Sequence, residues 1–367
     1  MTTEKQYMFE GAPGAIVKIA GVEYSYFGGT SYYELHKNDQ VLNAAAEAQK
    51  KYGITTSSSR SSFGTNQLLL DLEKEASDFF GTEDSVYLPS GFLTDMAALN
   101  IFTKENRFDA IFIDEFSHYS NHYAATLSRK PVYKFSHLNF EELEKKITFT
   151  SHKKPLVISD GVFPLNGKIA PAANYKKIVE RIDGLLWIDD AHGIGVIGKN
   201  GRGTYEHFDL NSENIYYGGT FSKAFGGFGG IIPGKKEFIT AIKNGELLNG
   251  ATPAPSSAIA ASLTGIKVFK SNSELREKLF SNTKHLKTSL SKIGIIVDNS
   301  PIPIVAFTLN DKANMLRIKN KLMSNNILIQ YLNYIGSHSE GTLRIVVFST
   351  HTFEQIDNLI FHLNKII

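Results

Sequence analysis

Gly218-Gly219-Thr220-Phe221-Ser222-Lys223-Ala224-Phe225-Gly226-Gly227 is the stretch that decides how this chain reads. The apolar run before it, Ile215-Tyr216-Tyr217, has the length and content of a short buried strand. The loop that follows sets one lysine among small and hydroxylated residues. Glycines let backbone N–H groups approach a phosphate closely, the hydroxyls add donors, and the lysine amine reaches an aldehyde. That combination points to pyridoxal phosphate. Taken alone, the loop reads equally well as a Gly-rich surface turn with a solvated lysine.

About thirty residues upstream, Leu185-Leu186-Trp187-Ile188 ends in Asp189-Asp190-Ala191-His192-Gly193, a buried strand that delivers carboxylates at its C-terminal tip. Ligands of open parallel α/β sheets bind outside the carboxyl ends of the strands. A carboxylate there, beside a pyridine nitrogen, keeps that nitrogen protonated and lets the ring accept electrons. A helix cap or loop anchor is the alternative for a lone aspartate. Further apolar runs, Ser85 to Leu88, Ala110 to Ile113 and Leu156 to Ile158, alternate with helical patterns such as the one entered at Asn139 with Glu142 three residues on. The spacing predicts an α/β fold with a mainly parallel central sheet. Ser90, His118, Asp160, Asp189 and Lys223 each fall at or just beyond a strand end, and five such residues at one end of a sheet form one pocket.

These segments resemble the α-oxoamine synthases, pyridoxal-phosphate enzymes of fold type I that condense an amino acid with an acyl-CoA thioester and lose carbon dioxide. The resemblance rests on Asp189 to Gly193, Gly195-Val196-Ile197-Gly198, Gly201-Arg202-Gly203 and Gly219 to Lys223. Weaker matches are Ser90-Gly91-Phe92, Asp114 to His118, Asp160-Gly161-Val162-Phe163 with Gly167, and Leu343-Arg344 ahead of Thr350-His351-Thr352. It implies that Lys223 holds the cofactor aldehyde, Asp189 partners the pyridinium nitrogen, His192 contacts the ring's phenolic oxygen and His118 stacks on the ring. It further implies that Ser90, Gly91, Phe92, Thr220 and Ser222 hold the phosphate, and that Arg344 takes the substrate carboxylate through a two-pronged guanidinium. Relatives share sites across a homodimer, an arrangement in which Thr252 reaches the neighbouring subunit's phosphate.

Two departures fall where substrate sits. Thr30, in Thr30-Ser31-Tyr32-Tyr33-Glu34-Leu35, stands where the family has a substrate-binding Asn, and Pro164 stands where it has a Ser that bonds the ring oxygen. Proline has neither N–H nor side-chain donor. The sequence ahead of the first strand is also shorter than in relatives. These departures leave open an aminotransferase, or another amino-acid-processing pyridoxal enzyme without an acyl-CoA step. A binding module that keeps the fold without catalysis is the reading from another class. Gly193-Ile194-Gly195-Val196-Ile197-Gly198 matches a dinucleotide fingerprint, but two carboxylates precede it and a loop composition follows, both wrong for that role.

The 367 residues are 42% hydrophobic and 21% charged, enough for a large core with a smaller second domain. The expected division is an N-terminal segment to 40, a large cofactor domain over 41–250 and a small C-terminal α/β domain over 251–367, with a last helix opening at Thr352 and Gln355. A net charge of +2 without a basic run gives nucleic acid no electrostatic footing. With no cysteine there is no disulfide and no thiolate chemistry. His118 and His122 lack a third metal ligand. Neither a signal segment nor an apolar run of spanning length occurs, so the expected location is cytoplasmic and the expected partners are a small amino acid and an acyl-CoA.

Overall fold

Every apolar run named above forms a strand in the computed structural model, which describes residues 7–367. Asp84–Leu88, Ala110–Asp114, Pro155–Asp160, Leu185–Asp189 and Ile215–Thr220 join Val132–Phe135 and Gly230–Gly234 in one seven-stranded sheet. Written by first residue, the spatial order is 84, 230, 215, 185, 155, 110, 132. All neighbours pair parallel except Gly230–Gly234, which is antiparallel to both of its own. Asp84–Leu88 therefore points with the rest, and six strands end at the same edge. From strand 110 the chain steps outward to 132 and then returns to 155 on the other side. That reversal opens a crevice at the carboxyl ends of strands 110 and 155.

The central strands Ala110–Asp114 and Leu185–Asp189 are buried at every position. Helices cover both faces, so the strands read as unbroken apolar runs without alternation. Val132–Phe135 and Gly230–Gly234 escaped the sequence reading for opposite reasons. The first is an edge strand with Val132 exposed, and the second carries two glycines and Pro233, which read as a turn.

Contact density divides the chain into two units, and the division differs from the expected one at both ends. The larger comprises Asn38–Pro164 and Lys168–Asn272, so helix Ser256–Ser271 belongs with the sheet and not with the C-terminal region. The reason is a face of small residues. A Cβ on Gly265 would collide with the Phe225 carbonyl oxygen, and one on Gly227 would collide with Ser262. Ser262 Oγ accepts from Phe228 N at 3.1 Å and lies 2.9 Å from the Phe228 carbonyl. The helix thus braces the loop that carries Lys223.

The smaller unit comprises the described residues up to Lys37, Leu165–Gly167 and Ser273–Ile367. It takes in the N-terminal segment because strand Val22–Tyr26 pairs with Ile327–Leu328 as well as with Ile16–Ile19. A second sheet orders Ile304–Phe307, Thr342–Val346 and Gln330–Leu332, all antiparallel. The last helix, Phe353–Ile366, opens on a complete Thr352 and Gln355 capping box and buries Ile356, Leu359 and Leu363. At Asn139 only half of that motif forms. Asn139 caps Glu142 N at 2.9 Å, while the Glu142 carboxylate turns to Ser136 N. No helix among the described residues is long and apolar enough to cross a membrane.

If helix 256–271 braces the lysine loop by close approach, Gly265→Val overpacks the contact and lowers unfolding free energy by about 1–3 kcal/mol. Denaturant unfolding measures this, and an unchanged midpoint would show that the helix is free to move away.

Candidate active site

The carboxyl ends of the sheet converge on a cavity of about 180 Å³, built from the larger unit alone. Its lining includes Ser90, Gly91, Phe92, His118, Asp189, His192, Thr220, Ser222 and Lys223. One strand end or following loop supplies each of them. Thr252 is exposed on the segment before helix 256–271 and does not line this cavity. Thr30 and Arg344 belong to the smaller unit. There Arg344 is buried, with Nη1 donating to the Gly29 carbonyl at 3.3 Å and to Gln330 Oε1 at 2.7 Å.

The two carboxylates of the Asp189-Asp190 pair differ in what holds each one. Adjacent residues at a strand end point to opposite sides. Asp190 is fully buried and receives both the backbone N–H and the hydroxyl of Thr204, each at 2.6 Å. A Cβ on Gly161, Gly193 or Gly203 would run into its carboxylate oxygens, so glycine at all three positions is a packing requirement. Asp189 lines the cavity, with Oδ1 accepting from Ala191 N at 3.0 Å. The Gly193 to Gly198 stretch is a run of turns wrapped on Asp190, and the short helix after it begins only at Thr204. That geometry excludes the dinucleotide fingerprint.

At one end of the cavity, Ser90 and Gly91 precede helix Phe92–Lys104, whose N-terminus favours an anion. Thr220 Oγ1 lies 2.8 Å from Ser222 Oγ and donates to the Gly229 carbonyl, also at 2.8 Å. Gly91 sits so near that a Cβ there would come 2.9 Å from Thr220 Cβ. Toward the other side, His118 caps helix Tyr119–Leu127, and its backbone N–H donates to Asp160 Oδ1 at 3.0 Å. Asn121 Nδ2 adds a bond to the same oxygen at 2.9 Å. Asp160 therefore fixes the His118 turn. Burial, reinforced by the Asp189 charge, pushes the Asp160 carboxyl well above the usual range. Burial also lowers the His118 pKa, with Asp189 pulling it up and Lys223 pushing it down.

Sequence reasoning placed Asp160 at a strand end but missed its work as anchor for His118. It missed Ser120, whose only signal is its place two residues after a histidine at a helix start. It also missed Asp95, a fully buried acid in the first turn of helix Phe92–Lys104. No cluster of three or more His, Cys, Asp or Glu side chains suited to a metal ion occurs among the described residues.

The chain belongs to the aminotransferase class I and II family, whose sequence model matches residues 29–363. It is 30% identical to the 8-amino-7-oxononanoate synthase of Thermosipho melanesiensis over 351 residues, covering 95% of this chain and 89% of that one. Identity to 8-amino-7-oxononanoate synthase 1 of Bacillus subtilis is also 30%, over 93% of this chain and 86% of the relative. Among solved structures, the serine palmitoyltransferase from S. paucimobilis with a bound PLP–myriocin aldimine matches with a TM-score of 0.91 at 25% identity, over 98% of this chain and 92% of that chain. The fold is type I of the pyridoxal-phosphate transferases, and the resemblance to α-oxoamine synthases extends over nearly the whole sequence.

Burial raises the Asp190 carboxyl to about 8, with the Thr204 bonds acting against it. An unfolded aspartate titrates at about 4, so between about pH 4 and 8 the folded chain holds a proton that the unfolded chain has lost. This contribution to stability is complete below that window and is lost as pH rises through it. Asp190→Asn, isosteric with the neutral acid, should flatten the decline. Melting temperatures at pH 5 and pH 8 test this, and equal slopes for both proteins would contradict it.

Proposed function

We propose that this chain is a pyridoxal-phosphate-dependent acyltransferase that condenses a small amino acid with an acyl-CoA and releases carbon dioxide, in the manner of the 8-amino-7-oxononanoate synthases of biotin synthesis. The observation that carries the reading is the one cavity that Lys223, Asp189, His118 and His192 line together with Ser90, Gly91, Thr220 and Ser222. Its donor set fits the cofactor. An amine, one cavity-facing carboxylate, two cavity-lining imidazoles, and hydroxyls at a helix N-terminus match an aldehyde, a pyridine nitrogen, a ring and a phosphate in turn. The relatives' names and the PLP in the matched structure support the same assignment.

When bound, the cofactor supplies an electron-withdrawing ring that loosens the bonds at the amino acid's Cα. The chain's own residues do the rest. Lys223 holds the cofactor aldehyde and, once released by the amino acid, moves protons at Cα. Asp189 keeps a proton on the ring nitrogen, since a charged partner favours the protonated base. His118 covers the ring face and keeps water from it. His192 contacts the phenolic oxygen alone, because Pro164 lines the cavity and offers no donor. Arg344 takes the substrate carboxylate, and Thr30 directly follows Gly29, whose carbonyl Arg344 bonds. A homodimer in which Thr252 reaches the neighbouring phosphate, in the cytoplasm, completes the proposal. Pro164 in the cavity wall favours one rival, an aminotransferase without acyl-CoA.

Purified protein with PLP should be yellow, and borohydride should fix the cofactor to one peptide containing Lys223. Alanine, glycine or serine together with a panel of acyl-CoA donors should then release free CoA and carbon dioxide. Label on another lysine contradicts the site. Absence of CoA release from every donor, while a keto acid exchanges an amino group with the cofactor, contradicts the synthase in favour of the aminotransferase.

A further inference from the structure

Arg344 sits in Thr342–Val346, the middle strand of the second sheet, and is only 4% exposed. Antiparallel pairing sets Gln330 directly opposite it on one side and Ala306 directly opposite it on the other. Residues opposite one another share a face of the sheet. The alternate positions Leu343, Ile345, Tyr331 and Val305 turn to the other face and join the apolar core of the smaller unit. The register thus flanks the guanidinium with one amide and one methyl group.

Arg344 Nη1 donates to Gln330 Oε1 at 2.7 Å, the length of a charge-assisted bond, and to the Gly29 carbonyl at 3.3 Å, past the usual range. A guanidinium has no acceptor, so the amide must turn its oxygen toward it. Gln330 is therefore the closer of these two holds on Nη1, and it acts from a paired strand. The kind of partner matters as much as its place. A carboxylate at 330 would meet the fork as a charge pair and offset its positive charge, whereas an amide oxygen holds the same nitrogen and adds no charge. Burial pushes the Tyr26 and Tyr32 phenols up against the pull of Arg344, so these neighbours stay neutral as well. A buried cation oriented by neutral groups is matched to an anionic ligand.

We propose that Gln330 is a positioning residue for the substrate's carboxylate: its Oε1 fixes the Arg344 guanidinium in one orientation and leaves that group's charge for the ligand. This role rests on the reading of Arg344 as the residue that takes the carboxylate. It deepens that reading by naming the cross-strand contact that orients the fork and the reason the contact is an amide.

The test compares Gln330→Met and Gln330→Glu with the wild type, in the full chain loaded with PLP. Methionine keeps the length and removes the acceptor, while glutamate keeps the acceptor and adds a charge. Binding of alanine, and of alaninamide, which lacks the carboxylate, is read from the change in cofactor absorbance, and PLP affinity is measured alongside. The wild type should prefer alanine. Gln330→Met should bind alanine about tenfold more weakly, the scale of one charge-assisted hydrogen bond, with alaninamide and PLP affinities unchanged. Gln330→Glu should lose at least as much, through its charge. Alanine binding at wild-type strength in either variant, or equal weakening for alanine and alaninamide, overturns the proposal. Should the methionine variant not fold, the isosteric Gln330→Glu decides. Wild-type protein that takes alanine and alaninamide alike would overturn the reading of Arg344 itself, whereas a wild-type preference for alanine that survives both substitutions overturns the role of Gln330 alone.

Discussion

The pocket depends on the clamping of Asp190. Its carboxylate is held by Thr204 N–H and hydroxyl, and three glycines from two loops press against it with no room for a side chain. The backbone joins in. Asp190 N donates to the Gly218 carbonyl, and Gly161 N donates to the Asp189 carbonyl, so three neighbouring strands are tied at their ends. With one carboxylate of the pair locked inward, the pleat turns the other outward into the cavity. Substituting any of those glycines would shift Asp190 and, through the backbone, the direction in which Asp189 points.

Around that fixed point, small residues set every close approach. Gly91 lets the first turn of helix 92–104 meet Thr220, and Gly265 with Ser262 lets helix 256–271 press on the loop after strand 215–220. Both contacts bear on the segments that bring Thr220, Ser222 and Lys223 to the cavity. The apolar core beneath, with Trp187, Phe102, Ile158 and Ile232, supplies the rigidity on which such placement rests.

The sheet was largely legible because parallel strands covered on both faces are continuous apolar runs, and their ends announce the polar residues that follow. The edge strand at 132 and the Gly- and Pro-bearing strand at 230 were hidden because their composition reflects local exposure and turn-like residues. The division of the chain was hidden as well. Helix 256–271 follows a proline-punctuated break, yet its small-residue face belongs with the large sheet, and only the three-dimensional contact reveals this. Lys223, Asp189 and His118 were visible as residues that follow strand ends, while the parts given to His118 and His192 came from the family resemblance. Asp95 and the anchoring work of Asp160 were not, since their significance lies in hydrogen bonds between segments far apart in sequence; Ser120 was not either, since its local bond to the His118 ring depends on how the turn is folded.

The central claim is that Asp189, held outward by the clamp on Asp190, keeps the ring nitrogen of the cofactor protonated. The ¹⁵N shift of isotope-labelled PLP bound to the protein reads this directly. A protonated ring nitrogen from pH 6 to 9 in the wild type and in Asp190→Asn, lost in Asp189→Asn, is the predicted result. An unprotonated nitrogen in the wild type, or the same shift in Asp189→Asn, would contradict the account.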